Sequence, residues 1–169
     1  FYPKPKPLAF SAFLSVQNLT GIYSPFTVEA NYNQDMTPYN IPFTACHELS
    51  HLRGFMQEEE ANFIAWLACK DAPETELQYS GSMLAWIHCM NVLYEEDRAA
   101  WSEIREILSE EADVDLRENS KFWDKWDGAV AEVSEQINDN YLKANGQKDG
   151  VQSYGRMADL VVAYYLWEE

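Results

Sequence analysis

Basic side chains are scarce in this chain of 169 residues, which carries 12 lysines and arginines against 28 aspartates and glutamates. The formal net charge of −16 repels phosphate backbones, so nucleic acid is not expected as a partner. The same charge disfavours direct docking of the protein surface on anionic lipid. Charge therefore restricts the partners of the protein, although it does not bear on the fold.

Cysteines and long apolar runs are also few. The three cysteines (Cys46, Cys69 and Cys89) form no CxxC pair, and an odd number cannot complete an intramolecular disulfide set. We expect them to be reduced and mostly buried. No apolar run approaches the roughly 20 residues that a membrane-spanning helix requires. The start at Phe1, just before a proline-rich stretch, indicates a segment of a longer protein with an anchor or signal upstream.

Apolar side chains, by contrast, make up 47% of the chain, enough for one well-filled core and one domain over residues 1–169. Alternation of apolar and polar residues from Phe26 to Asn33 predicts a half-buried strand, followed by a loop over residues 34–42. The rest reads as amphipathic helix, which predicts a mainly α (α+β) fold with a short N-terminal strand or hairpin. The expected helices are 8–19, 44–53, 57–70, 82–95, 98–110, 120–140 and 153–167.

Two of the three histidines occur in the HExxH pattern His47-Glu48-Leu49-Ser50-His51. Residues i and i+4 of an α-helix lie on one face, so both imidazoles can reach a single Zn²⁺ ion. Glu48 follows the first histidine directly, at an angle that directs its carboxylate to a water molecule beside the ion. The pattern therefore predicts a zinc site in which Glu48 is the general base.

Two histidines are one ligand short of a catalytic zinc site, which has three protein ligands and an open position. Gly54 can end the helix in a left-handed turn and fold the next glutamates back toward the ion. The letters EEEAN from Glu58 onward resemble the E-x-x-A-[D/N] signature of gluzincins. That resemblance implies Glu58 as the third zinc ligand and Asn62 as the residue that orients a histidine ligand. Glu60 is the alternative ligand.

Several separated segments together resemble a bacterial family of unassigned membrane proteins, the domain of unknown function 3810 family. They are GIYSPFTVEANYN, PFTACHELSHLRGF, EEEANFIAWLAC, YSG and NYLKANGQKDGVQSYGRMADLVVAYY. The resemblance implies a zincin-like metallopeptidase domain, anchored to the membrane through a segment absent from this chain. We expect the domain to lie on the extracytoplasmic side of the membrane. The resemblance to this family implies no particular substrate.

Substrate contacts are expected outside the zinc ligands. In zincins an edge strand binds the peptide backbone by strand addition, which assigns this role here to Val28, Glu29, Ala30 and Asn31. A peptidase also needs a donor for the oxyanion, and Tyr154 ranks first, Arg156 second and Tyr141 third, because all three lie in or beside a glycine-containing loop. His88 lies among apolar residues and is interpreted as a core histidine.

Three hypotheses about function remain open at the level of sequence. A zinc-dependent peptidase acting on a peptide or protein substrate is the leading hypothesis. A non-catalytic zinc-containing binding or sensor module is the main alternative, which a fourth protein ligand such as Glu60 or a cysteine would favour. A metal-free helical domain with a chance HExxH is the third.

Overall fold

The computed structural model describes residues 3–144 and 156–168. Within these residues the protein has eight helices and one three-stranded sheet, so the prediction of a mainly α fold is confirmed. The strands are Lys6–Pro7 (β1), Gly21–Ser24 (β2) and Glu29–Tyr32 (β3). The helices are Ala12–Val16 (α1), Asn40–Leu52 (α2), Glu58–Lys70 (α3), Thr75–Glu96 (α4), Arg98–Glu106 (α5), Glu110–Asp124 (α6), Ala129–Ala144 (α7) and Arg156–Glu168 (α8).

The sheet has the order β1-β3-β2, with β3 in the centre. β2 and β3 form an antiparallel hairpin, in which Gly21 pairs with Tyr32, and β1 runs parallel to β3. The strand expected from Phe26 onward begins three residues later, at Glu29, because the preceding residues form the hairpin turn. In that turn Val28 adopts a left-handed backbone with φ 56°, and the Phe26 side chain is exposed.

Helix α2 begins at Asn40 and not at Thr44, so the expected loop is shorter and Thr44 lies inside the helix. Pro42 is compatible with this start because the first-turn N–H groups have no intrahelical partner. Gly54 ends the helix as expected, with φ 97°. Its N–H donates to the His51 carbonyl oxygen at 3.0 Å, and the Phe55 N–H donates to the Ser50 carbonyl oxygen at 3.2 Å. This pair of bonds is a Schellman motif.

The later helices follow the expected order with shifted bounds. α3 matches the prediction, with Gln57 at the N-cap position, whereas α4 begins seven residues earlier than expected. The helix expected over 120–140 is wrong, because α6 ends at Asp124 and α7 begins at Ala129, with Gly128 in the break between them. Apolar periodicity continues across this break and therefore does not reveal it.

The main core lies where α2, α3, α4 and α8 pack together, around the buried side chains of Phe43, Trp66 and Met157. α3 and α4 approach closely at Gly81, where an added Cβ would lie 2.5 Å from the Cβ of Cys69. Close packing of this kind has low compressibility, so it holds α3 firmly against α4. None of the described helices has the length and hydrophobicity needed to cross a membrane.

Candidate metal centre

The two histidines of α2 and the first residue of α3 converge on one point. The Nε2 atoms of His47 and His51 lie 3.0 Å apart. The two carboxylate oxygens of Glu58 lie 3.3 Å from His47 Nε2 and 3.7 Å from His51 Nε2. In a tetrahedral zinc site with bonds near 2.0–2.1 Å, neighbouring ligand atoms are about 3.3 Å apart. The three donors therefore have the chemistry of a zinc site, at distances close to those between the ligand atoms of such a site.

The turn at Gly54 also sets the proton position on His51. It brings the carbonyl oxygen of Phe55 to 2.7 Å from His51 Nδ1. A carbonyl oxygen can only accept, so the proton lies on Nδ1 and the Nε2 lone pair faces His47 and Glu58. Metal-binding histidines are commonly oriented by such a bond from the second ring nitrogen. Burial and the neighbouring charge of His47 lower the pKa of His51, which favours the neutral, ligating form.

His47 has a different environment. Burial lowers its pKa, but the hydrogen bond to Glu58, the charges of Glu48 and Glu58 and the neighbouring Asn62 side chain together outweigh burial, so the pKa is raised. Among the described residues, no group reaches normal hydrogen-bond geometry at the buried Nδ1. Asn62 is buried beside this ring, whereas Glu60 is exposed and lies outside the donor group. The outer-shell role of Asn62 stays a prediction.

Glu48 is buried next to the three donors and is not one of them. Burial raises its pKa, as does the charge of Glu58, against an opposing effect of His47, to about 7. Strand β2 lies directly against it, because a Cβ added at Gly21 would be 2.5 Å from Glu48 Oε1 and 2.8 Å from the Thr44 methyl group. From the sequence alone, Gly21 is predicted only to end the helix expected over residues 8–19. Its structural role is to let the strand contact the carboxylate.

The raised pKa of Glu48 predicts a pH dependence of the metal-free protein. The unfolded chain releases this proton near the ordinary pKa of 4.5, whereas the folded chain holds it up to about pH 7. The folded state thus binds more protons in this window, and its free energy of unfolding falls as the pH rises from about 4.5 to 7. At about 1.4 kcal/mol per pKa unit, the fall amounts to about 3 kcal/mol.

Urea unfolding in a chelator at several pH values measures this effect. Glu48→Gln removes the titrating group, so the unfolding free energy of the wild type minus that of the variant should fall by about 3 kcal/mol as the pH rises through the window. A difference that is constant from pH 4.5 to 7 would show that Glu48 titrates normally.

The donor group opens into a cleft of about 990 Å³. The cleft is lined by residues of α2, α3 and β2, together with residues of α4 and α7. The Tyr23 ring on β2 lies 6.1 Å from the His51 ring, centroid to centroid. His88 is half-buried in the cleft wall, so its interpretation as a core histidine is wrong. The sequence marked neither Tyr23 nor β2, because four residues beside a glycine give a weak strand signal.

The four residues predicted to align a peptide lie away from the cleft, and their predicted role is untested. Val28, Glu29, Ala30 and Asn31 do not line the cleft, and β3 is the central strand of the sheet. Strand addition requires an unpaired strand edge. Within the described residues β2 is an edge strand with one side unpaired, whereas β3 is paired with β1 on one side and with β2 on the other. β2 is therefore the strand next to the donor group.

Of the expected oxyanion donors, Tyr154 lies outside the described residues. Arg156 begins α8, and its Nη1 lies 3.8 Å from Oε1 of Glu59. It is not among the residues that line the cleft, and its predicted role is untested. Tyr141 lies in the last turn of α7. Tyr23 is a further tyrosine, and it does line the cleft.

Fold and site together define a mainly helical domain in which two imidazoles and one carboxylate meet at the base of a cleft. The chain belongs to the family described as protein of unknown function (DUF3810), whose sequence profile matches residues 1–162. No curated protein and no solved structure matches the chain.

Proposed function

We propose that this domain is a zinc-dependent metallopeptidase of the gluzincin type, with a zincin-like site. The observation that carries the proposal is the group of His47, His51 and Glu58 beside the buried carboxylate of Glu48, at the base of a cleft. Neither part alone suffices. Three donors without a neighbouring base define only a metal site, and a buried glutamate without a metal site can be one that is merely paired with a neighbouring group.

The three donors would hold the ion through His47 Nε2, His51 Nε2 and a Glu58 oxygen. Bound zinc would supply a Lewis acid that polarises the scissile carbonyl group and lowers the pKa of water to about 7. Glu48 then takes a proton from water at a carboxylate oxygen while the water oxygen attacks the carbonyl carbon. It passes the proton to the amide nitrogen as the C–N bond breaks. A pKa near 7 suits both transfers at neutral pH.

The rest of the cleft would orient the substrate. The open edge of β2 can pair with an extended peptide, and Gly21 keeps that strand against Glu48. Tyr23 carries a hydroxyl group on the same strand, near His51, and is a candidate donor to the oxyanion. Arg156 and Tyr154 remain the donors expected from the sequence.

The alternative is a non-catalytic zinc-containing binding or sensor module, which would have a fourth protein ligand in place of an open position. In the described part of the chain, no fourth His, Cys, Asp or Glu joins the group. Cys46 precedes His47 but packs against the hydrophobic core, and Glu60 is exposed. This arrangement supports the peptidase over the module.

The setting of the domain is part of the proposal. Its resemblance to membrane proteins of the family supports attachment to a bacterial membrane through a segment outside this chain. An extracytoplasmic position would expose the cleft to peptide or protein substrates of the envelope.

The test is hydrolysis of a mixture of unrelated peptides, followed by mass spectrometry. Zinc-loaded protein should generate new peptide termini, chelator-treated protein should generate none, and addition of zinc should restore cleavage. No cleavage by protein that has been shown to hold one zinc ion would contradict the proposal.

A further inference from the structure

Helix α7 contributes three polar side chains to the cleft that contains the metal donors. They are Ser134, Glu135 and Asn138. Residues at i, i+1 and i+4 lie on one side of a helix, so these residues form a polar face of α7 that borders the cleft, with Ser134 and Asn138 half-buried and Glu135 exposed. No pattern in the sequence connects this segment with His47 and His51, some 85 residues earlier in the chain.

Three larger apolar side chains of α7 lie outside the cleft lining, whereas the small Ala131 is buried. Val130, Val133 and Ile137 are 55%, 54% and 65% exposed. A helix placed only to bury its hydrophobic side chains would have the opposite orientation, with its apolar stripe toward the protein. Burial of apolar area therefore does not account for the polar face toward the cleft, and a polar ligand in the cleft would.

Apart from the histidines, the charged side chains in the cleft are all acidic. Among the described residues that line it there are three glutamates, Glu48, Glu58 and Glu135, and no lysine or arginine. In the proposed function Glu58 binds the ion and Glu48 transfers the proton. Glu135 has no such task, and it forms no ion pair within the described residues. The net charge of −16 adds a field that attracts cations toward this cleft.

We propose that Glu135 is a specificity-determining residue that selects peptides with a cationic group, the ammonium or guanidinium of a Lys or Arg side chain or a free α-ammonium. This inference rests on the proposed function for its peptide substrate. Ser134 and Asn138 supply hydrogen-bonding groups beside the carboxylate. The substrate class is then a basic peptide or a peptide with a free N-terminus.

Binding to zinc-loaded Glu48→Gln protein tests the inference without turnover. The probes are N-acetylated, C-amidated hexapeptides of neutral sequence, each with a single lysine at a different position. The control for each probe is the same peptide with the uncharged norleucine in place of lysine. A neutral hexapeptide with a free N-terminus tests the α-ammonium. Calorimetry should show that one cationic peptide binds about fivefold more tightly than its neutral partner, as for a partly solvent-exposed charge pair.

The preference should depend on one residue of α7. In the Glu48→Gln protein, a second substitution Glu135→Gln should remove the preference for the cationic peptide. Glu135→Lys should reverse this preference, so that a peptide with glutamate in place of lysine binds more tightly. Glu132→Gln is the matched control, because Glu132 lies one turn earlier on α7 and is exposed like Glu135, but does not line the cleft. It should leave the preference intact, and 0.5 M salt should weaken it.

The inference is overturned if cationic and neutral peptides bind equally, if none binds, or if Glu132→Gln has the same effect as Glu135→Gln. Its failure can be told from that of the proposed function. If the zinc-loaded wild type cleaves no peptide but the binding preference depends on Glu135, the inference about Glu135 stands and the peptidase activity is rejected. If the wild type cleaves peptides but shows no such binding preference, the peptidase activity stands and the inference about Glu135 is rejected.

Discussion

Glu48→Gln should abolish peptide hydrolysis while zinc remains bound. The amide has nearly the shape of the carboxylate but cannot take a proton from water, and loss of a general base typically lowers the rate by about 10²–10⁴-fold. Glu48 is not one of the three donors, so the zinc content should stay at that of the wild type. Peptide cleavage and metal analysis of the same preparation measure both effects.

Glu76→Gln is the control for this variant. Glu76 is an exposed glutamate in the first turn of α4 and does not line the cleft, so cleavage should be unchanged. A Glu48→Gln protein that cleaves at the wild-type rate would remove Glu48 from the mechanism.

His51→Ala should lose zinc, with an affinity at least about 100-fold lower than that of the wild type. Loss of an outer-shell partner alone costs about 10–100-fold, and His51 supplies one of only three donor atoms. Zinc should raise the melting temperature of the wild type, since it binds the folded state, and should have little effect on the variant. Calorimetry and thermal unfolding with and without zinc make the measurement.

Paired controls separate ligands from neighbours. His88→Ala removes a histidine of the same cleft that is outside the donor group and should retain zinc. Glu58→Gln should lose affinity, whereas Glu60→Gln should not, because Glu60 is exposed and outside the donor group. If Glu60→Gln loses zinc and Glu58→Gln keeps it, the third ligand has been misassigned.

The sequence predicted the convergence of His47, His51 and Glu58 because the relevant physics is local. The histidines are one helical turn apart, and Gly54 reverses the chain within three residues of His51. The helix end at Gly54 and the start of α3 are confirmed by the structure. Local rules of helix geometry and capping place the two histidines together and turn the chain at Gly54, whereas the choice of Glu58 over Glu60 came from the resemblance to gluzincins.

The walls of the cleft depend on contacts between distant residues, which apolar periodicity does not contain. The strand at residues 26–33 was recognisable, but its central position follows from pairing with both β1 and β2. Gly21 resembled a helix terminator because only the tertiary structure shows Glu48 against it. α7 reaches the cleft from another part of the chain, and its polar face was indistinguishable from an ordinary solvated one.

An anomalous-scattering map at the zinc absorption edge, from crystals of this domain, tests the central claim most directly. We expect one strong peak at about 2.0–2.2 Å from Nε2 of His47, Nε2 of His51 and a carboxylate oxygen of Glu58, with the fourth position open to the cleft. No peak after soaking with zinc, or a peak held by four protein ligands, would contradict a catalytic zinc site.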